Sequence, residues 1–355
     1  MIRSKVKVLA RVAGADLGIT QPLATRFRLW LRLAARRSGC PGLAIAILLS
    51  AGTAWSDSGQ NSRRPSGDAE LRYWLENMVV FHHFTPEEVA AATGLTTDEV
   101  AADVAKFHLQ NRRPPRPKRD EPLRVLPYPG GRHPRIGFLD GAIDPQRETK
   151  VSVFTPWDRR DYVVVDVPEA IWSNLGLTFL AHTHVKTVWD LQNIQLPKLE
   201  WQRESNGVLV MERTLPNQIT FGTRVTPQSD GVRFDLWLKN GTTEKLSGLR
   251  VQNCVMLKMA AGFEALTNQH TVFAPPYAAI KSKSKNRWII TAFDPCQMPW
   301  ANPLVPCVHA DPQFPDCAPG ETTRIRGWLS FYEGKDIAAE FKRLDTLGWR
   351  ELKPR

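Results

Sequence analysis

The 355-residue sequence has no uncharged apolar run of the roughly 20 residues that a membrane-spanning helix needs. It also has no glycine-rich phosphate loop and no regular alternation of strands with helices. The first absence excludes a polytopic membrane protein, the second the common nucleotide-binding loops, and the third a doubly wound parallel sheet. Charge of one sign is scarce beyond the first residues. The net charge of +11 sits mostly in residues 1–56, which hold nine Lys/Arg and one acid, Asp16; the other 299 residues carry 38 basic and 35 acidic groups. No basic face is left for nucleic acid, and no nucleic-acid partner is expected. Proline, by contrast, is abundant at 27, which argues against a helical bundle and for strands joined by loops.

Residues 1–40 are basic, and 41–54 read PGLAIAILLSAGTA, apolar and uncharged. Ala54-Trp55-Ser56 follows as an A-x-A-like cleavage pattern, so residues 1–56 are read as a secretory signal peptide, with an uncleaved anchor as the alternative. The chain is then periplasmic or secreted, with no stable membrane span after cleavage. In an oxidising compartment Cys254, Cys296, Cys307 and Cys317 are disulfide candidates with three possible connectivities. The short Pro-rich loop between Cys307 and Cys317 favours pairing those two, which leaves Cys254 with Cys296.

Residues 57–67 are a polar linker, and 68–110 change to helical spacing, with apolar Leu71, Trp74, Leu75 and Met78. Thr85 with Glu88 and Thr96 with Glu99 are capping boxes, and Gly94 stops the first of those helices. The result is a small three-helix unit that resembles a helix-turn-helix. Its second helix carries Asp98, Glu99 and Asp103 where DNA recognition wants bases, so packing is the better reading. Residues 111–122 form a basic Pro-rich linker. Over 123–335, short β-rich runs alternate with turn signals; residues 232–238 alternate with period two before Asn240-Gly241. Residues 336–355 begin as a short amphipathic helix that caps a sheet. The fold class is mainly β: a large antiparallel sandwich preceded by the helical unit.

His82 and His83 read as structural, whereas Arg132, His133 and Arg135 sit in a Gly/Pro-rich loop and can grip hydroxyls or carboxylates. His182 and His184, two apart on a strand, share a face, which suits proton transfer or, with His309 and its neighbouring cysteines, a metal. Asp294, Gln297, Trp300 and Asn302 gather a carboxylate, an amide and an indole at the end of a strand, the groups that sugar sites use for hydroxyls and C–H faces.

Taken in order, these landmarks resemble the galactose mutarotase (aldose 1-epimerase) superfamily. Gly131 to Gly137 is similar to its early sugar-binding segment, with the arginine at Arg135. His182-Thr-His184 stands where the family has its first catalytic histidine. Asn253-Cys254 stands at its Asn-His, Asp294 to Asn302 resembles its Glu-x-x-Gln-x-Pro-x-x-Asn run, and Pro319-Gly-Glu321 opens the last strand. The resemblance implies a supersandwich, a sugar pocket without a cofactor, Asp294 as base and His182 or His184 moving protons. It implies sugar contacts from Arg132, His133, Arg135, Asn253, Gln297, Trp300 and Asn302. Two departures stand out: the base is Asp294, one methylene short, and the acid position is Cys254. The expected function is therefore a secreted carbohydrate-binding or carbohydrate-active protein, isomerase- or epimerase-like if an enzyme, without mutarotation itself. The alternatives are a non-enzymatic envelope protein that binds a partner or matrix polysaccharide, and a metal-dependent enzyme using His182, His184 and His309.

Overall fold

The two capping boxes form as spaced. Thr85 Oγ1 accepts from the Glu88 N–H (3.3 Å) while Glu88 accepts from the Thr85 N–H (2.8 Å), and Thr96 with Glu99 repeats this at 3.1 and 2.7 Å. Each cap contributes about 1 kcal/mol. They open helices α2 (Pro86–Thr93) and α3 (Thr97–Lys106), and Gly94 ends α2 at φ 72°, where a side chain would be strained. Helix α1 (Gly67–Leu75) precedes them and runs on as a π turn, Glu76–Phe81. The structure is a computed structural model that describes residues 62–116, 118, 120–130, 147–181, 185–265, 270–303 and 305–351, all within one unit, Trp55–Arg355. The expected signal peptide and residues Arg132, His133, Arg135, His182 and His184 lie outside the described residues.

The strands build two antiparallel sheets. The first contains β1 (Val125–Pro127), β2 (Lys150–Phe154), β3 (Tyr162–Ser173), β4 (Gly176–Leu180), β9 (Val251–Met256), β13 (Cys296–Ala301) and β14 (Cys307–Pro312), in the order β1-β2-β3-β9-β14-β13 with β4 also on β3. The second contains β5 (Gln202–Arg203), β6 (Leu209–Thr214), β7 (Thr220–Pro227), β8 (Val232–Lys239), β10 (Thr271–Ala274), β11 (Tyr277–Lys281), β12 (Arg287–Asp294) and β15 (Thr322–Glu333), in the order β10-β11-β12-β15-β8-β7-β6-β5.

Period-two alternation divides the side chains among three cores. Val163, Val165, Phe234, Ile289, Phe293 and Leu329 fill the space between the sheets. On the outer face of the first sheet, Tyr162, Val164 and Met256 pack under Trp74, Leu75 and Met78 of the helical unit. On the outer face of the second, Tyr277 and Trp328 pack under Phe341 and Leu344 of α4 (Ile337–Leu347), a helix capped by Asp336, whose Oδ1 accepts from the Ala339 N–H at 2.9 Å. The fold is thus a mainly β sandwich with a small helical unit. No helix among the described residues is long and apolar enough to cross a membrane.

His82 locks the helical unit to the first sheet. Its Nδ1 lies 2.9 Å from Asn77 O and its Nε2 2.7 Å from Ser152 Oγ, so the neutral ring donates to the carbonyl and accepts from the hydroxyl. Phe84, Tyr128, Phe154 and Tyr162 surround it, and burial holds its pKa down at about 3. Residues 296–301, expected to follow the end of a strand, form a strand of their own, β13; it is an edge strand in this sheet, where a proline is tolerated.

Candidate functional site

On the outer face of the second sheet, Arg224, Asp235, Arg326 and Asp294 stand opposite one another across β7, β8, β15 and β12. Their neighbours Val225, Phe234, Ile325 and Phe293 point into the interlayer core, so the alternation that buries those turns the charged set outward. The adjoining row is Gly222, Trp237 and Arg324. With Arg350, which follows α4, the charged row, Trp237 and Arg324 line an open cleft of about 610 Å³.

The Trp237 indole lies across Gly222: a Cβ there would come within 2.6 Å of Cε2, so only glycine lets the ring settle on the sheet. Its Nε1–H donates to Glu212 Oε2 (2.9 Å), which fixes the ring. Asp235 Oδ1 accepts from Arg233 Nε and Nη2 (3.2 and 2.6 Å), while its buried Oδ2 has no hydrogen-bond partner among the described residues. Glu204 holds Arg224 by two bonds, 3.1 and 2.6 Å. Arg326 donates to the Arg350 carbonyl, and Arg350 Nε lies 3.9 Å from the half-exposed Asp294 carboxylate. Arg324 is exposed and makes no ion pair among the described residues. The cleft therefore offers a ring face, the half-exposed Asp294 carboxylate and the exposed Arg324 guanidinium.

The outer face of the first sheet carries a second row. Lys150, Asp166, Cys254, His309 and Trp300 are cross-strand neighbours over β2, β3, β9, β14 and β13. Lys150 Nζ lies 3.6 Å from Asp166 Oδ1, both fully buried, and donates to Ala181 O at 3.2 Å. Cys307, two residues from His309, shares its face, with Sγ 3.2 Å from His309 Nε2. The Trp300 indole stacks on the imidazole at 3.9 Å and 13° and donates Nε1–H to Asp311 Oδ2 at 2.6 Å. Asp311 Oδ1 accepts the Asn253 N–H (3.1 Å) and stands 3.6 Å from His309 Nδ1, acting on it through charge.

A hydrogen bond from Cys254 pulls the Cys307 thiol down to about 5 against the cost of burial, with help from His309. Burial opposes a charged His309, but Asp311 and Cys307 outweigh it and push the imidazole up to about 10. Their mutual contact thus favours the charged forms of Cys307 and His309, and burial raises Cys254 well above an ordinary thiol.

No disulfide is seen among the described residues, where Cys254, Cys296, Cys307 and Cys317 are free thiols. Cys317 packs in the interlayer core and Cys307 in the core beneath the helical unit, on opposite sides of the first sheet. Cys254 and Cys296 are divided in the same way, with Cys296 packed against the interlayer core.

Of the expected site residues that are described, the base Asp294 lies in the arginine-lined cleft, Trp300 in the row on the first sheet, and Gln297, exposed, on β13. The Asn302 N–H bonds Cys307 O at 3.3 Å, and the Asn253 amide lies on the interlayer side, between Val251 and Val255. Asp294 and Cys254, the base and acid positions of the resemblance, therefore stand on opposite outer faces of the sandwich. Expectation from the sequence missed Arg224, Asp235, Trp237, Arg324 and Arg326, although the charged and aromatic residues at alternate positions of 233–237 were the signal. It also missed Asp311, the third member of Cys307-x-His309-x-Asp311.

No protein-family model matches the chain, and no curated protein matches it. Among solved structures, a protein assigned as a kojibiose phosphorylase from the human microbiome is similar at TM-score 0.32 and 7% identity, over 56% of this chain and 27% of that one. A heparinase III is similar at TM-score 0.29 and 9% identity, over 77% of this chain and 43% of its own. The chain thus spans about a quarter of the first protein and less than half of the second.

Proposed function

We propose that the chain is a carbohydrate-binding protein whose ligand lies in the cleft on the outer face of the second sheet. One observation carries the reading: the Trp237 indole, seated on Gly222, adjoins the Arg224–Asp235–Arg326–Asp294 row in an open cleft. A sugar's C–H face stacks on the indole. Its hydroxyls donate to the half-exposed Asp294 carboxylate, and Arg326 and Arg324 donate to its oxygens. Because Arg324 has no counter-ion among the described residues, a saccharide bearing carboxylate or sulfate binds more tightly than a neutral one.

Binding is favoured over mutarotation because Asp294 and Cys254 lie on opposite outer faces and cannot serve one sugar ring. The resemblance to the mutarotase superfamily is taken as one of architecture. The protein acts in the periplasm or outside the cell, and N-terminal sequencing of exported protein is expected to start near Asp57. Isothermal titration of the full chain with neutral and uronic oligosaccharides tests the site. Binding is expected, tighter for the uronic series and lost in Trp237→Ala. Absence of binding across both series, or undiminished binding by Trp237→Ala, would refute it.

A further inference from the structure

The Cys254, Cys307 and His309 cluster lies on the sheet away from the proposed saccharide cleft and plays no part in it. Antiparallel pairing sets Cys254 of β9 directly opposite His309 of β14, and Cys307 falls on the diagonal, two residues along the same face. Cys254 Sγ, Cys307 Sγ and an imidazole nitrogen lie within 4.8 Å of one another, all in buried residues. From this geometry we infer that the three side chains bind one divalent metal ion of the thiolate-favouring, zinc type.

The donor set fits the metal. Two sulfurs and an imidazole suit zinc over magnesium or calcium, whose ligands are oxygens. At ordinary Zn–S and Zn–N lengths, tetrahedral donors stand about 3.6–3.8 Å apart. Cys307 Sγ to His309 Nε2 is 3.2 Å and the widest separation is at most 4.8 Å, so small side-chain rotations suffice.

The surroundings fit as well. A metal-bound histidine commonly turns its other nitrogen to a carboxylate. Here His309 Nδ1, buried and without a hydrogen-bond partner among the described residues, faces Asp311 Oδ1 at 3.6 Å. Asp311 is in turn held by the Asn253 N–H and the Trp300 indole, and the Trp300 ring fixes the imidazole plane.

Cobalt substitution reads the site directly. The full chain, stripped with a chelator under reductant and titrated with Co²⁺, is expected to develop sulfur-to-cobalt charge-transfer and tetrahedral d–d bands that saturate at one ion per chain and are bleached by Zn²⁺. Cys254→Ser and His309→Gln each remove the bands, and Cys317→Ser keeps them. Asp311→Asn, which spares all three ligands, keeps the stoichiometry and weakens Zn²⁺ affinity about 10–100-fold, a readout independent of whether the ligand variants fold. Absence of thiolate–cobalt bands, bands that survive Cys254→Ser, or a Cys254–Cys307 disulfide forming in preference to metal binding in zinc-supplied protein would overturn the inference.

Discussion

The two outer faces of the sandwich carry the same kind of cross-strand row and put it to opposite uses. On the second sheet, Arg224, Asp235, Arg326 and Asp294 line an open cleft, beside the part of the face where α4 packs on Tyr277, Ile290 and Trp328. On the first, Lys150, Asp166, Cys254 and His309 are sealed, with Trp74, Leu75 and Met78 of the helical unit packed on the same face. Charges facing water cost little to keep and are free to meet a ligand. The same charges in a dry layer must satisfy one another, and their pKa values move accordingly. Strand alternation thus sets which side chains face outward, and what is packed above them decides between recognition and a closed polar centre.

The largest expected effect comes from loosening the cover. Leu75 is fully buried, and Leu75→Ala should cost about 2–5 kcal/mol in urea unfolding. It should also speed the reaction of Cys254 and Cys307 with a thiol reagent while leaving saccharide binding unchanged. Equal thiol reactivity in wild type and variant would break the contrast between the faces.

The His82 lock makes the cover sensitive to acid. Its folded pKa, about 3, lies below the ordinary imidazole value of 6.5, so between those values the unfolded chain holds a proton that the folded one excludes. This contribution to stability is complete above pH 6.5. It falls with decreasing pH by up to about 1.4 kcal/mol per unit, levelling off near pH 3. Urea midpoints measured across this range should fall less steeply in His82→Gln.

Gly222→Ala sharpens the comparison from the open side. The new methyl collides with the Trp237 ring, so ligand affinity should drop at least tenfold while stability falls by about 1–3 kcal/mol, read by titration and urea unfolding. The smallest effect belongs to Arg324→Ala. Stability should stay within about 0.5 kcal/mol, and only the preference for acidic over neutral saccharides should disappear.

Local chemistry was legible in the sequence: the capping boxes at Thr85 and Thr96, the alternating strand 232–238, and Asp336 opening the last helix. Pairing was not. Cys254 and His309 are neighbours only because β9 lies beside β14 in the sheet order, and nothing in either segment names the other. The cysteines were paired by their spacing, whereas the sheet separates Cys307 from Cys317 and Cys254 from Cys296. The order of landmarks likewise drew Asp294 and Cys254 into one site. Asp294 closes β12 of one sheet and Cys254 lies within β9 of the other, so sequence order could not reveal that they face opposite ways.

The most direct measurement is titration calorimetry of one uronic oligosaccharide against the wild-type chain, Trp237→Ala and Cys254→Ser, the last two confirmed folded by circular dichroism. Two faces with separate roles predict binding by wild type, the same affinity in Cys254→Ser, and none in Trp237→Ala. Binding that survives Trp237→Ala but is lost in folded Cys254→Ser would place the ligand on the other sheet and contradict the account.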